Sequence, residues 1–423
     1  MMRIFKTFFI ACLTVIVTSC VNNSGTVTVI NPSNLDWENK YIVIPANKLK
    51  VSNSDSLYLE IRDVQNNSIP YDLLDEEGKS YRKVGVVLNI HAGGKQTLSI
   101  NWESSPRGFK NETAVRLGKK VNDSVVILKC DTLLKYSLSR KNSNSYSYQT
   151  DGPAWENDKV AYRHYFDRRN ARDIFGKKEP GLVMDGVGLN DNGETEDNYH
   201  VLRDWGRDIL SVGNSLGAGG IAIEKNDSIY RLGVTVNDTI GDVDISIYKM
   251  LNNGPLLSSF KLDFVNWKTE SDLYTVSEEV SITPGNHAYK NTVKINGLKK
   301  DERLIVGLVN TNNRNPISIV EVNDDYIALI THDKQTYNRE YFLGMALVVP
   351  KKYYEGYGDL PTSDGREVNG TYYARIHIQE NQEFHFYFIS GWELENIKFR
   401  DRQNFIEMVK KEINIIVAQP LFS

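Results

Sequence analysis

Side chains that alternate between apolar and polar with a period of two constrain this chain more than any other feature. Leu57, Leu59 and Ile61 fall on one face of an extended segment, while Tyr58, Glu60 and Arg62 fall on the other. The same pattern recurs at Tyr41–Ile44, Val84–Ile90, Thr97–Trp102, Val125–Leu128, Val243–Met250, Leu256–Phe264, Leu304–Val309, Tyr326–Ile330 and Phe342–Val349. Turn-forming runs separate many of these segments: Asn-Asn-Gly, Thr-Pro-Gly, Asn-Gly-Leu and Ser-Asp-Gly. Many short strands joined by turns predict stacked antiparallel sheets and argue against a βαβ fold. Helix is expected in two places only. One is Val201–Leu210. The other is Asp401–Ile416, where Asp401 can cap the first turn and Phe405, Val409, Ile413 and Ile416 form one stripe.

The domain organisation expected is a signal over 1–19, a tether over 20–30, an N-terminal β part over 31–140 and a main β-sandwich part over 151–423, the last two forming one continuous domain. The Ser/Asn-rich stretch 137–150 reads as a surface linker between them. Lys and Arg number 50 against 54 Asp and Glu, so the basic excess of a nucleic-acid binder is absent. The 23 Tyr, 15 Phe and 6 Trp suit sugar-ring surfaces, and they also suit β cores.

The first residues read as an address. Arg3 and Lys6 precede an apolar run too short to span a bilayer, which ends at Val17-Thr18-Ser19-Cys20. That ending resembles a lipobox, whose Cys becomes the acylated N-terminus, so Cys20 is the expected lipid attachment. The chain is then exported and anchored in the cell envelope. Val21-Asn22-Asn23 lacks an acidic surface-export run, which points to the periplasmic face of the outer membrane. Cys12 leaves with the signal, and Cys130 is expected to be a small buried apolar residue without a disulfide partner.

Between residues 151 and 220 the alternation breaks and charges crowd around aromatics. Arg163, Tyr165 and Asp167 share one side of a predicted strand, with Tyr162, His164 and Phe166 on the other. On the expected helix, His200 and Asp204 lie four apart and can meet. A carboxylate beside a His is the apparatus of a general base and equally of a satisfied structural His. Gly213-Asn214-Ser215-Leu216-Gly217 fits the G-x-S-x-G nucleophile elbow, but the elbow needs a strand before it and a helix after it, the reverse of the order here. Gly217-Ala-Gly219-Gly220 reads as a tight turn. Asp185, Asp191, Glu194, Glu196 and Asp197 could gather Ca²⁺ but do not match an EF-hand loop. No cofactor is otherwise expected. Near the C-terminus Tyr373, Arg375 and His377 share one side of a strand, and Trp392 closes the following hairpin.

Two blocks carry a resemblance. They are the run from Trp155-Glu-Asn-Asp-Lys-Val-Ala-Tyr-Arg163 to Asp173-Ile-Phe-Gly-Lys177, and the run from Tyr199-His200 through Asp204-Trp-Gly206 to Gly219-Gly220. Both resemble signatures of a domain-of-unknown-function family of exported lipoproteins from gene clusters that degrade acidic polysaccharides. The resemblance implies a galactose-mutarotase-like β-supersandwich and, from one relative, an oligosaccharide dehydratase acting on a terminal uronic acid. The implied reaction is β-elimination on an acidic oligosaccharide. A base takes the C5 proton, a cation neutralises the carboxylate, and an acid protonates the departing 4-oxygen. On that reading His200 is the base, Asp204 its orienter, Tyr165 the acid, and Arg163 or Arg169 the clamp, with Trp155, Trp205, Tyr373, Arg375, His377 and Trp392 lining the sugar site. Two alternatives stand beside it: a non-catalytic sugar-binding lipoprotein stacking rings on Trp155, Trp205 and Trp392, and an acyl hydrolase acting through Ser215.

Overall fold

A computed structural model describes residues 25–49, 58–74, 83–122, 124–134, 147–167, 169–232, 242–270, 272–362 and 368–423. The signal, Cys20 and most of the Ser/Asn-rich stretch lie outside the described residues.

The expectation of a mainly β chain holds. The largest unit is a nine-stranded antiparallel sheet running from Cys130–Leu134 at one edge to Ser318–Glu321 at the other. Its strand Asp272–Ile282 shows why: Tyr274, Val276, Val280 and Ile282 alternate into the core. Two five-stranded sheets face it. One holds Thr113–Arg116, Ala154–Asn157, Ala161–His164, Arg172–Lys177 and Gly206–Asp208. The other is built around Ala218–Lys225, Arg303–Val309 and Thr371–Ile376. One apolar core joins all three, including Trp155, Tyr162, Phe260, Tyr289, Val306 and Phe388.

The helix Arg402–Val417 covers the other face of the large sheet. Asp401 caps it by accepting from the Asn404 N–H at 2.9 Å, as expected. Phe405, Val409 and Ile413 pack on Ala346, Val348 and Ile389. Ile416 is only half-buried, while its neighbour Ile415 enters the core of a smaller N-terminal sandwich. That sandwich stacks a four-stranded sheet on a three-stranded one, and its first strand Gly25–Ile30 pairs with the last strand, Leu421–Phe422.

Two expectations are corrected. Residues 201–210 are not helical: an irregular segment leads into the strand Gly206–Asp208. Gly206 sits at φ +137°, and its backbone lies so close to the Gly176 carbonyl that no Cβ would fit, which holds this segment against the sheet. Cys130 is exposed, not buried, because its strand forms the edge of the large sheet.

Candidate active site

Strand register assembles the site. Ala161–His164 pairs antiparallel with Arg172–Lys177, placing Arg163 opposite Asp173, and Gly206–Asp208 adds on the far side with Asp208 opposite Phe175. The Arg163 guanidinium, 2% exposed, fills the space between them. It donates to Asp173 at 2.7 and 3.0 Å, to Asp208 at 2.6 Å and to the Tyr199 hydroxyl at 2.9 Å. It also donates to the Tyr165 hydroxyl, which donates in turn to Asp173. Burial opposes the charge on Arg163, but Tyr165, Asp208 and Asp173 outweigh it and hold its pKa well above the usual range. Burial pushes the Asp208 carboxyl up to about 8; the Asp173 charge adds to this and Arg163 opposes it. The Asp208 carboxyl is therefore easier to protonate than an ordinary aspartate.

The loop between Lys177 and Gly206 arches over these strands. Buried Glu156 accepts from the Val183 and Met184 N–H groups at 2.9 and 2.8 Å, and Gln149 donates to the Val187 carbonyl at 2.7 Å. Beside Gln149, Thr150 and Asp151 both adopt left-handed φ, 56° and 61°. Such strain costs about 1–3 kcal/mol per residue. It brings the Asp151 carboxylate to 3.3 Å from the Tyr199 hydroxyl and 3.5 Å from Arg163.

His200 stands on this loop with its side chain 55% exposed. Its Nε2 is 2.8 Å from Asp197 Oδ1, and its Nδ1 is 3.5 Å from Asp208 Oδ2. Each ring nitrogen of His200 therefore faces a carboxyl group. The loop borders an open polar cavity of about 630 Å³ lined by Asn190, Asn198, Tyr199, Arg203 and Trp205, and also by the carboxylates Asp191 and Glu196. Arg203 is exposed and has no carboxylate within ion-pair distance among the described residues, unlike Arg163, Arg169 and Arg207.

The structure thus brings together His200, Arg163 and Tyr165, with Trp205 at the cavity wall, but it changes their parts. Arg163 is saturated by the protein's own carboxylates and offers nothing to a substrate carboxylate. The Tyr165 hydroxyl is buried behind the cleft with its bonds already made, so it is not presented as an acid. Asp204 is exposed, and Asp197 and Asp208 take its place beside His200. Arg169 pairs with Asp167 at 2.8 Å and lies 3.4 Å over the Tyr165 ring. Trp155 and Trp392 are core residues and cannot stack on a sugar. Tyr373, Arg375 and His377 lie on the other five-stranded sheet, where Arg375 binds Glu224 at 2.7 Å and His377 binds Glu355 at 2.8 Å. Ser215 is buried and donates to the Val212 carbonyl at 2.6 Å, a turn contact and not a nucleophile's setting. The acidic loop residues form no metal cluster among the described residues; Asp185 pairs with Arg116 and Asp197 with His200.

Sequence reading gave Asp208, Asp173, Tyr199 and Arg203 no role and offered Asp197 only as a calcium ligand. Asp173 had a local signal, as the acid facing Arg163 across a short hairpin.

The family model described as Domain of unknown function (DUF4861) matches residues 29–421. The chain belongs to this family. A curated relative, "Uncharacterized protein P7" of Formosa agariphila, is 27% identical over 220 residues, 48% of this chain and 50% of that protein. The match therefore spans about half the length of that relative. Among solved structures, an α-mannosidase from Enterococcus faecalis V583 covers 95% of this DUF4861 chain and 46% of its own, with a TM-score of 0.48 and 11% identity. A candidate aldose 1-epimerase from Klebsiella pneumoniae covers 73% of this chain and 97% of its own, with a TM-score of 0.27 and 9% identity.

Proposed function

We propose that this DUF4861 protein is a carbohydrate-active enzyme that eliminates water, or a 4-linked group, from a terminal uronic acid of an acidic oligosaccharide. The observation that carries this reading is an exposed histidine beside a buried carboxyl: His200 Nδ1 lies 3.5 Å from Asp208, whose pKa is pushed up to about 8, on the loop whose Tyr199 lines a polar cavity. Arg203, which makes no ion pair among the described residues, supplies the cation for the uronate carboxylate in a cavity that Asp191 and Glu196 also line, and Trp205 supplies an apolar wall for the ring.

His200 Nδ1 takes the C5 proton, which is acidified once Arg203 neutralises the adjacent carboxylate. The C5–H electron pair becomes the C4=C5 double bond, the C4–O4 bond breaks, and Asp208 protonates the departing oxygen. The imidazolium then returns a proton to the Asp208 carboxylate, which restores both groups. Arg163 and Asp173 are positioning residues that fix Asp208. Saturated uronate-ended oligosaccharides should develop the absorbance of a conjugated enol ether when mixed with the protein. A non-catalytic sugar binder would develop none, and neither would an esterase.

In the same reading the chain is exported and lipid-anchored through Cys20 on the periplasmic face of the outer membrane. Cys20→Ala should release it from membranes or block its processing. A variant processed and sedimenting with membranes as the original does would refute the anchor.

A further inference from the structure

A second cavity, of about 520 Å³, lies where the N-terminal sandwich, the large sheet and the C-terminal helix meet, with none of its lining residues on the 177–206 loop. Its walls are fixed by three contacts. Lys40 of the sandwich donates to the Ile415 and Ile416 carbonyls at the end of the helix, the latter at 3.1 Å. His287, at the start of a large-sheet strand, is bound to Glu412 of the helix at 2.6 Å. Gly285, at φ +78°, is packed against Asn39 so closely that a Cβ would clash. The cavity is therefore preformed and does not depend on a ligand for its shape.

Its lining is amphipathic. Ala288, Tyr387, Met408, Ile415 and Ile416 contribute apolar surface. Lysines 40, 159, 290 and 411 also line it, against only two carboxylates, Glu38 and Glu412. Both carboxylates are committed: Glu38 to Lys411 at 2.8 Å, and Glu412 to His287. Lys159 and Lys290 have no carboxylate within ion-pair distance among the described residues, and burial depresses the Lys290 ammonium, opposed in part by the charges of Glu279 and Glu383. A half-buried ammonium without a direct ion pair on an apolar wall is a costly arrangement that an anion would relieve.

We propose that this interdomain cavity binds an amphipathic organic anion, its apolar body against Met408 and Tyr387 and its head group on Lys290 and Lys159. The binding is independent of the elimination chemistry.

Calorimetric titration of the full chain, kept free of detergent, with dodecanoate tests it, with glucuronate as the acidic but non-amphipathic comparison. Dodecanoate should bind one to one and glucuronate should not. Lys290→Gln should weaken dodecanoate about tenfold or more, since a charge-assisted bond is lost. Met408→Trp, which fills the cavity, should abolish binding. The melting temperature of each variant shows whether it is folded, and Lys290→Gln leaves the packing intact if Met408→Trp does not fold. No heat from dodecanoate, equal binding by Lys290→Gln, or binding of glucuronate in its place would each overturn the proposal.

Discussion

The molecule places a histidine between two carboxylates twice, and the two cases behave in opposite ways. His287 has Glu412 at Nδ1, 2.6 Å away, and Glu395 at Nε2, 2.9 Å away, and is 7% exposed. Burial alone would discharge it, but Glu412 and Glu395 override burial and hold its pKa at about 10. It is a fixed cation that latches the large sheet to the C-terminal helix. His200 has Asp197 and Asp208 at comparable positions, yet half of its side chain meets solvent and the Asp208 contact is loose. The carboxyl group that is perturbed there is Asp208, whose pKa burial and Asp173 push up to about 8 against Arg163. A histidine between two carboxyl groups makes a latch when the histidine is buried, and it is the arrangement we propose as an acid–base pair when a carboxyl group is buried in its place.

The sharpest way to break this comparison is to remove each ring. His200→Ala should lower turnover roughly 10²–10⁴-fold, the usual cost of losing a general base, with the melting temperature unchanged. His287→Ala should do the reverse. It leaves Glu395 and Glu412 partly buried without their cation, a loss of about 3–5 kcal/mol, while activity per folded molecule is retained. Chemical denaturation of both variants beside the enol-ether assay decides it. If His200→Ala unfolds the chain, or if His287→Ala is inactive though folded, the roles assigned here are wrong.

Two tryptophans extend the same contrast from charge to packing. Trp155 is stacked on Tyr162 with centroids 5.7 Å apart in the core, and Trp155→Ala should cost about 3–5 kcal/mol of stability. Trp205 is half-buried at the cavity wall. Trp205→Ala should leave stability nearly intact and raise KM roughly three- to tenfold, the worth of one aromatic contact. Equal melting temperatures for the two variants would show that burial does not separate platform from core here.

Titration sharpens the comparison further. Activity requires Asp208 to hold its proton, so the rate should fall about tenfold per pH unit above roughly pH 8. Asp208→Asn should abolish turnover at every pH, because an amide cannot supply the proton. The stability carried by His287 runs on its own scale. Its folded pKa lies above the ordinary 6.5, so the folded state binds the extra proton between 6.5 and about 10. That stability is full below 6.5 and is lost as pH rises through about 10. Thermal melts across this range should decline in the parent and stay flatter in His287→Gln. A flat parent curve would remove the charged latch.

The sheets were legible because each strand declares its faces locally, as Tyr274, Val276, Val280 and Ile282 do along Asp272–Ile282. The capped C-terminal helix was legible for the same reason. The site was legible only as a region. Residues 201–210 carry Val201, Leu202, Trp205 and Ile209 at near-helical spacing, and the local pattern was overruled by the packing of Gly206 on Gly176. Asp208 reaches Arg163 from 45 positions away, through register with an intervening strand that the alternation does not reveal. Nor does sequence tell a free arginine from a matched one: Arg163 and Arg203 look alike until their neighbours are placed.

Ser215 provides the smallest effect and a clean control. Its hydroxyl donates to the Val212 carbonyl at 2.6 Å and accepts from the Gly217 N–H at 2.9 Å, closing a buried turn. Ser215→Ala deletes both bonds and leaves the Gly217 N–H unmatched, while the Val212 carbonyl keeps the Ser215 N–H at 3.0 Å, a cost of about 1–3 kcal/mol. The residue that follows, Leu216, packs beneath Gly307 in the neighbouring sheet, so the loss should be confined to this turn. Elimination activity should stay within about twofold of the parent once corrected for the folded fraction, since nothing in the turn touches His200, Asp208 or Arg203. A variant that melts like the parent yet loses activity would reverse the assignment: the serine would then be doing chemistry, and the buried turn would have to open to let it.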